Sequence, residues 1–371
     1  MLESGVRYRT WCEHERVEVL IMDAGRQVLR TVPLEPEGDG YFSGLDQGGR
    51  AGELYRYRVG ATGDWPDPAS RSQPQGVHGP SMVVDPKTFR WSDASWKAPA
   101  YRDLIIYELH VGTFTEAGTF RSAIEKLDYL AELGVNAIEI MPVADFPGER
   151  NWGYDGVSLY APSRAYGTPD DFRALVDAAH AQRLAVILDV VYNHLGPDGN
   201  YVGCYHKGYF NPEHKTPWGA GLNYEHPAVR DFFSENALYW MREFHIDGFR
   251  LDATHAMLDD SEQHILAEIA ERVHAAGGFV VAEDDRNDPT LLRSPETGGF
   301  GFDGCWSDDF HHTVRVMLTK QREGYYANFE GTSRELAGTL AHGWHYRGQP
   351  RLTSGKARGA ESIDLAPEQF V

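Results

Sequence analysis

The sequence predicts an α/β chain: an N-terminal antiparallel β-sandwich followed by a parallel (β/α)8 TIM barrel of which six strands are present. Three observations carry this. Short alternating runs broken by Gly, Asp and Pro clusters fill residues 6–84, as in small antiparallel sheets. From Leu104 onward, apolar runs of strand length alternate with stretches of helical period, the pattern of a parallel sheet wrapped by helices. Finally, 371 residues exceed one ordinary domain but accommodate a barrel of about 250 residues with a small companion.

In the first segment, Val17-Glu18-Val19-Leu20-Ile21 and Leu54-Tyr55-Arg56-Tyr57-Arg58-Val59 read as strands. Trp65-Pro66-Asp67-Pro68, Gly79-Pro80 and Asp85-Pro86 form a turn-rich connector, which sets the boundary near residue 95: a sandwich over 1–95 and a catalytic barrel over 96–371. The expected barrel strands are Leu104 to Leu109, Ala137 to Met141, Ala185 to Val191, Gly248 to Asp252, Phe279 to Glu283 and Gly304 to Trp306. Phe120, Ile124, Leu127 and Leu130 recur at helical spacing and predict a helix over Phe120 to Leu133; a second runs from Pro169 to Gln182 with Thr168 as N-cap. Glu149 to Arg164 and Leu195 to Tyr224 lack periodicity and are rich in Gly, Asn, Pro and aromatic residues, as expected of loops that shape a pocket above the strands.

Composition narrows the function. The formal net charge of -20 argues against nucleic acid, whose affinity comes from Lys and Arg neutralising phosphates. No run reaches the roughly 18 apolar residues of a membrane span, so no membrane partner is expected. Three scattered cysteines in no metal-ligand spacing, and an N-terminus without signal-peptide character, make a reducing cytoplasm the expected setting. The aromatic content of 12% suits carbohydrate, because Trp and Tyr offer flat apolar faces to sugar rings.

The chemistry lies in carboxylates at strand ends. Asp252 closes the run Gly248-Phe249-Arg250-Leu251-Asp252, and Glu283 closes Phe279-Val280-Val281-Ala282-Glu283, 31 residues later. One strand, helix and return loop take roughly 30 residues, so both carboxylates are expected at the C-terminal ends of neighbouring strands, where barrel enzymes keep their active sites. Arg250, two residues before Asp252, shares its strand face. As a nearby cation it is expected to hold Asp252 ionised, whereas the apolar approach to Glu283 should raise its proton affinity. Asp189-Val190-Val191-Tyr192-Asn193-His194 likewise follows an apolar run, and places Asp189 and His194 at the cleft mouth. Trp152 and Tyr154, beside a Gly, are candidate sugar platforms. Trp306, Asp308, His311 and His312 follow the sixth strand and are candidates for substrate-specific sugar subsites.

Asp189 to His194, Gly248 to Asp252 and Glu283 resemble the first three signature regions of glycoside hydrolase family 13, the α-amylase family. The resemblance implies Asp252 as nucleophile and Glu283 as general acid and base. Arg250, His194 and Asp189 would orient the nucleophile and the sugar, and Tyr154 would lie under that sugar. Within the family, Gln73 to Ser81, Tyr107-Glu108-Leu109-His110-Val111-Gly112-Thr113-Phe114, Asn193 to Tyr201 and Trp306-Ser307-Asp308-Asp309-Phe310-His311-His312 are similar to the maltooligosyltrehalose trehalohydrolases. That implies a retaining hydrolase releasing trehalose from maltooligosyltrehalose, with a sandwich of immunoglobulin-like, carbohydrate-module type. Branching enzymes, isoamylase-type debranching enzymes and a catalytically inactive glucan-binding relative are the alternatives. The chemistry needs no cofactor. Many amylases bind calcium through an Asn at the position of Asn193, but trehalohydrolases generally do without it, so no metal is expected.

The family's fourth signature region, with its third essential carboxylate, has no match. Pro367-Glu368-Gln369-Phe370-Val371 resembles the approach to the seventh strand. The expectation is therefore a truncated record of a longer protein. A product of these residues alone should be unstable or inactive, since a barrel loses its strand edges only on closure.

Overall fold

The computed structural model describes residues 4–362 and 364–371. Antiparallel pairing organises the first part. β1 (Val6–Trp11), β2 (Val17–Met22), β3 (Val28–Gly38), β4 (Tyr41–Asp46), β5 (Leu54–Val59), β6 (Gly63–Trp65) and β7 (Ser81–Met82) form one sheet in the order β1-β4-β3-β2-β5-β6, with β7 on β5. The long β3 folds this sheet over: Val28 to Leu34 pair with β2, and Glu35 to Gly38 pair with β4. Tyr8 of β1 thereby meets Tyr55 and Tyr57 of β5 edge to face, at 5.0 and 6.5 Å between centroids. Val17, Val19, Ile21, Leu34, Phe42 and Val59 complete the core. The expected sandwich is thus a single sheet bent around a strand shared by its two halves.

The rest of the chain adds β8 (Ile106–Leu109), β9 (Ala137–Ile140), β10 (Ala144–Asp145), β11 (Ser158–Pro162), β12 (Ala185–Val190), β13 (Phe210–Thr216), β14 (Gly219–Leu222), β15 (Gly248–Leu251), β16 (Phe279–Glu283) and β17 (Gly304–Trp306). Among the described residues, β8, β9, β12, β15, β16 and β17 lie side by side in chain order, all parallel, as part of a barrel. Side chains alternate across the sheet, and the two faces differ. Ile138, Val186, Leu188, Phe249, Leu251 and Val280 pack outward under the helices, against Phe172, Phe233, Trp240 and Ile269. Inward, Ala137, Ala185, Ile187, Phe279 and Val281 form a second core beneath the polar residues at the strand ends. A side chain on Gly248 would lie 2.4 Å from the Phe279 ring, so glycine there lets Phe279 fill the floor.

Two expectations need correction. The helix over Phe120 to Leu133 is two helices, Phe120–Ile124 and Leu127–Leu133. Between them the N–H groups of Glu125 and Lys126 bond three residues back, to Ser122 and Ala123, a tighter turn than an α-helix allows. The aperiodic stretches are not wholly loops: one contains the buried β11, paired with β10, and the other the β13-β14 hairpin. β13 has no buried residue on either face and carries Pro212, so it lacks the alternation that marks a strand with one buried face. The Thr168 cap is present: its hydroxyl accepts the Asp171 N–H at 3.2 Å, and the Asp171 carboxylate accepts the Thr168 N–H at 2.9 Å. Among the described residues no helix is long and apolar enough to cross a membrane.

The connector is anchored to the N-terminal end of the parallel sheet by a charged clasp. His180 Nδ1 faces Asp93 at 2.8 Å and Nε2 faces Asp247 at 3.0 Å, while Trp96 stacks on its ring and donates to Asp247 at 2.8 Å. Asp93 also holds His245 Nδ1 at 2.8 Å. Burial disfavours the His180 cation, but Asp247 and Asp93 outweigh it and leave the proton affinity raised. A raised folded pKa stabilises fully below the unfolded value of about 6.5, and that contribution is lost as pH rises through the folded value. His180→Gln should therefore lower the melting temperature at about pH 6 more than at about pH 9; a pH-independent loss in thermal melts would refute the cationic clasp.

Candidate active site

Parallel register brings the candidate residues together. Asp189 lies opposite Arg250, and Arg250 opposite Val281; Asp252 follows β15 and Glu283 ends β16 on the same face. Arg250 Nη1 reaches Asp189 at 2.9 and 3.0 Å and Asp252 Oδ1 at 2.8 Å, while its Nη2 lies 3.6 Å from Glu283 Oε2. One buried guanidinium therefore touches three carboxylates. Asn193 Nδ2 donates to Asp252 Oδ2 at 2.9 Å and to its carbonyl at 2.8 Å, so both Asp252 oxygens are held.

Glu283 is oriented differently. Ala253 sits in the left-handed region at φ 44°, which turns its N–H onto Glu283 Oε2 at 2.7 Å. Burial raises the proton affinity of Glu283, Arg250 opposes this, and the charges of Asp252 and Asp308 add to the rise. Burial likewise pushes the Asp189 carboxyl up to about 7 despite Arg250. The site thus holds two buried acids, Asp189 and Glu283, whose proton affinity burial raises.

Tyr154 donates to Asp189 Oδ2 at 2.8 Å. The preceding Gly153, at φ +103°, brings the chain so close to Pro142 that a side chain would lie 2.1 Å from its carbonyl oxygen. His194 bonds Asn193 through Nδ1 and stacks on Trp218 at 4.3 Å with an interplanar angle of 3°. Burial lowers its proton affinity, with Asp252 opposing. Trp218 lies between β13 and β14 and remains 49% exposed.

The structure therefore gathers Asp189, Arg250, Asp252, Glu283, Tyr154 and His194. It does not bring in Trp152, which is 73% exposed and forms no hydrogen bond with the cluster among the described residues. Asp308 acts on Glu283 through its charge, and among the described residues His311 bonds only Asp308, at 3.2 Å. Three further participants escaped the sequence reading. Asn193 holds Asp252 as well as His194. Trp218 is one aromatic among several in its loop. Glu139, opposite Ile187 and so one layer beneath Asp189, is buried, and its proton affinity is raised far above normal by burial and by Asp189. A carboxylate in the middle of the apolar strand Ala137–Ile140 was the available signal.

Residues 83–218 match the family description Alpha amylase, catalytic domain. The malto-oligosyltrehalose trehalohydrolase of Saccharolobus solfataricus is 46% identical over all of this chain and 65% of its own length, and that of Deinococcus radiodurans is 45% identical over 99% and 60%. A crystal structure described as an alpha amylase from Salmonella typhimurium superposes with a TM-score of 0.90 at 42% identity, covering 98% of this chain and 62% of that one. The chain has the α-amylase family fold. It spans about three fifths of the length of these relatives. Asp189, Arg250, Asp252 and Glu283, read from the sequence as signature residues of the family, are the four that meet at the strand ends.

Proposed function

We propose that the protein carrying this chain is a retaining glycoside hydrolase that cleaves the α-1,4-glucosidic bond next to the terminal trehalose of maltooligosyltrehalose, releasing trehalose. The observation that carries the chemistry is Arg250, whose single guanidinium meets Asp189, Asp252 and Glu283 on one face of the sheet. Asp252, held by Arg250 and Asn193, attacks the anomeric carbon. Glu283, whose proton affinity burial raises, gives its proton to the leaving oxygen and later takes one from water. Retention of configuration requires the two carboxylates about 5 to 5.5 Å apart. Asp189, Arg250, His194 and Tyr154 hold the sugar before the scissile bond, and Trp152, Asp308 and His311 serve subsites further out. The identity of 46% and 45% with the two trehalohydrolases supports trehalose as the released sugar. Cys12, Cys204 and Cys305 are free thiols, in keeping with a cytoplasmic enzyme.

The test is product analysis. Incubation of the protein with maltooligosyltrehalose should yield free trehalose by chromatography. New α-1,6 branches, or hydrolysis of existing ones without trehalose, would replace this reading with a branching or debranching activity, and absence of turnover would favour a binding protein.

Trp218→Ala should lower kcat/KM about 3- to 10-fold, the worth of one aromatic stack of roughly 1 kcal/mol, with little change in melting temperature because the ring is half exposed. An unchanged kcat/KM would remove Trp218 from the site.

A further inference from the structure

We propose that Asp308, His311 and His312 form a binding site for a divalent transition-metal ion, with Zn2+ as the reference ion, at the start of the helix Asp308–Thr319. Positions i, i+3 and i+4 share one helix face, and one ligand atom from each residue lies within 4.8 Å of the other two. Asp308 Oδ1 and His311 Nε2 are 3.2 Å apart. Bonds of about 2.0 to 2.1 Å at a tetrahedral angle span about 3.3 Å between ligand atoms, so this pair already has the spacing of two ligands on one ion.

His312 supplies an independent observation. It is only 9% exposed, its Nδ1 is enclosed, and no hydrogen bond to its ring is made among the described residues. Buried ring nitrogens normally have partners. Its ring lies 4.3 Å from that of His311, and Tyr325, Tyr326 and Phe329 wall it at 4.8 to 5.3 Å. The third ligand is therefore shielded from water and uncommitted. Two imidazoles and one carboxylate suit Zn2+, Ni2+ or Cu2+ better than Mg2+ or Ca2+, which take oxygen ligands. Three protein ligands leave a fourth position open.

Two other groups of similar composition are weaker. In His255, Asp284 and Asp285, the Asp284 carboxylate is already taken by Arg286 and Thr254. In His214, Glu225 and Asp260, both carboxylates are exposed. The Asp308 site serves no step of glycoside cleavage. When filled, it removes Asp308 and His311 from sugar binding and places a dication near Glu283, so the ion inhibits turnover. That consequence rests on the function proposed above; the binding itself does not.

The experiment is a titration without any glucan. Chelator-stripped protein is mixed with Zn2+ in competition with a chromophoric chelator, and with Co2+ alone to read its visible d–d bands. The expected result is one tight equivalent, weakened about tenfold or more in His311→Ala and in Asp308→Asn and retained in His214→Ala. His311 is 60% exposed on its side chain, so His311→Ala tests the site in a folded protein. No uptake, uptake unchanged in His311→Ala, or uptake lost in His214→Ala would each overturn the proposal. Failure of trehalose release would leave the metal result standing, and the reverse holds equally.

Discussion

Asp252→Asn and Glu283→Gln should each reduce trehalose release by about a thousandfold or more, because in the proposed mechanism one removes the group that bonds to carbon and the other the group that moves the proton. Both changes are nearly isosteric. In Glu283→Gln the amide oxygen can still accept the Ala253 N–H that Glu283 accepts at 2.7 Å, and in Asp252→Asn the side-chain oxygen can still accept from Arg250. Folding should survive, and for Glu283 it should improve on the alkaline side. A carboxyl whose folded pKa is raised opposes folding once pH exceeds its unfolded value, and Gln abolishes that penalty. Wild-type turnover should fall as pH rises through the raised pKa of Glu283, since the acid must carry its proton. Assays of both variants beside thermal melts decide the matter: near-normal rates would reassign the roles, and a collapsed melt would mean the loss was structural.

The second large effect concerns Arg250. Arg250→Met removes the cation shared by Asp189, Asp252 and Glu283 and leaves buried carboxylates uncompensated, at a cost of about 3–5 kcal/mol. Protonation relieves such a penalty, so the deficit should be smaller at about pH 5 than at about pH 8. Arg250→Lys should not restore activity, because one ammonium cannot replace two terminal nitrogens that reach three partners. Urea unfolding at the two pH values, with turnover beside it, tests this; a loss below about 1 kcal/mol at both would show that the ion pairs offset little of their own desolvation.

Much of this was legible in the residues. β16 and β17 coincide with their expected ranges, because an apolar run with an abrupt polar end marks a buried parallel strand from both sides. Strand period two placed Arg250 beside Asp252. What it could not show is that the same guanidinium extends sideways to Glu283 and Asp189, since that depends on register between strands far apart in sequence. Tertiary placement also decided the rest. The left-handed turn at Ala253 occurs at a residue type that rarely adopts it. β13 carries no buried residue to leave a period, and Trp218 becomes part of the site only because its hairpin returns to His194. The helix expected through Glu125 and Lys126 had the right apolar spacing but not the right turn.

The three-to-one ratio of carboxyl groups to cation around Arg250 has a consequence for the reaction proposed above. Above about pH 7, where the Asp189 carboxyl gives up its proton, Asp189 and Asp252 outnumber the single cation even with Glu283 protonated, in a medium that screens poorly. A neutral sugar at rest draws little benefit from that field. The oxocarbenium-like species formed as the glycosidic bond breaks is positively charged, and it completes the neutralisation that the resting site lacks. In the proposed reaction the unbalanced pocket thus favours the fleeting cation over the molecule that enters.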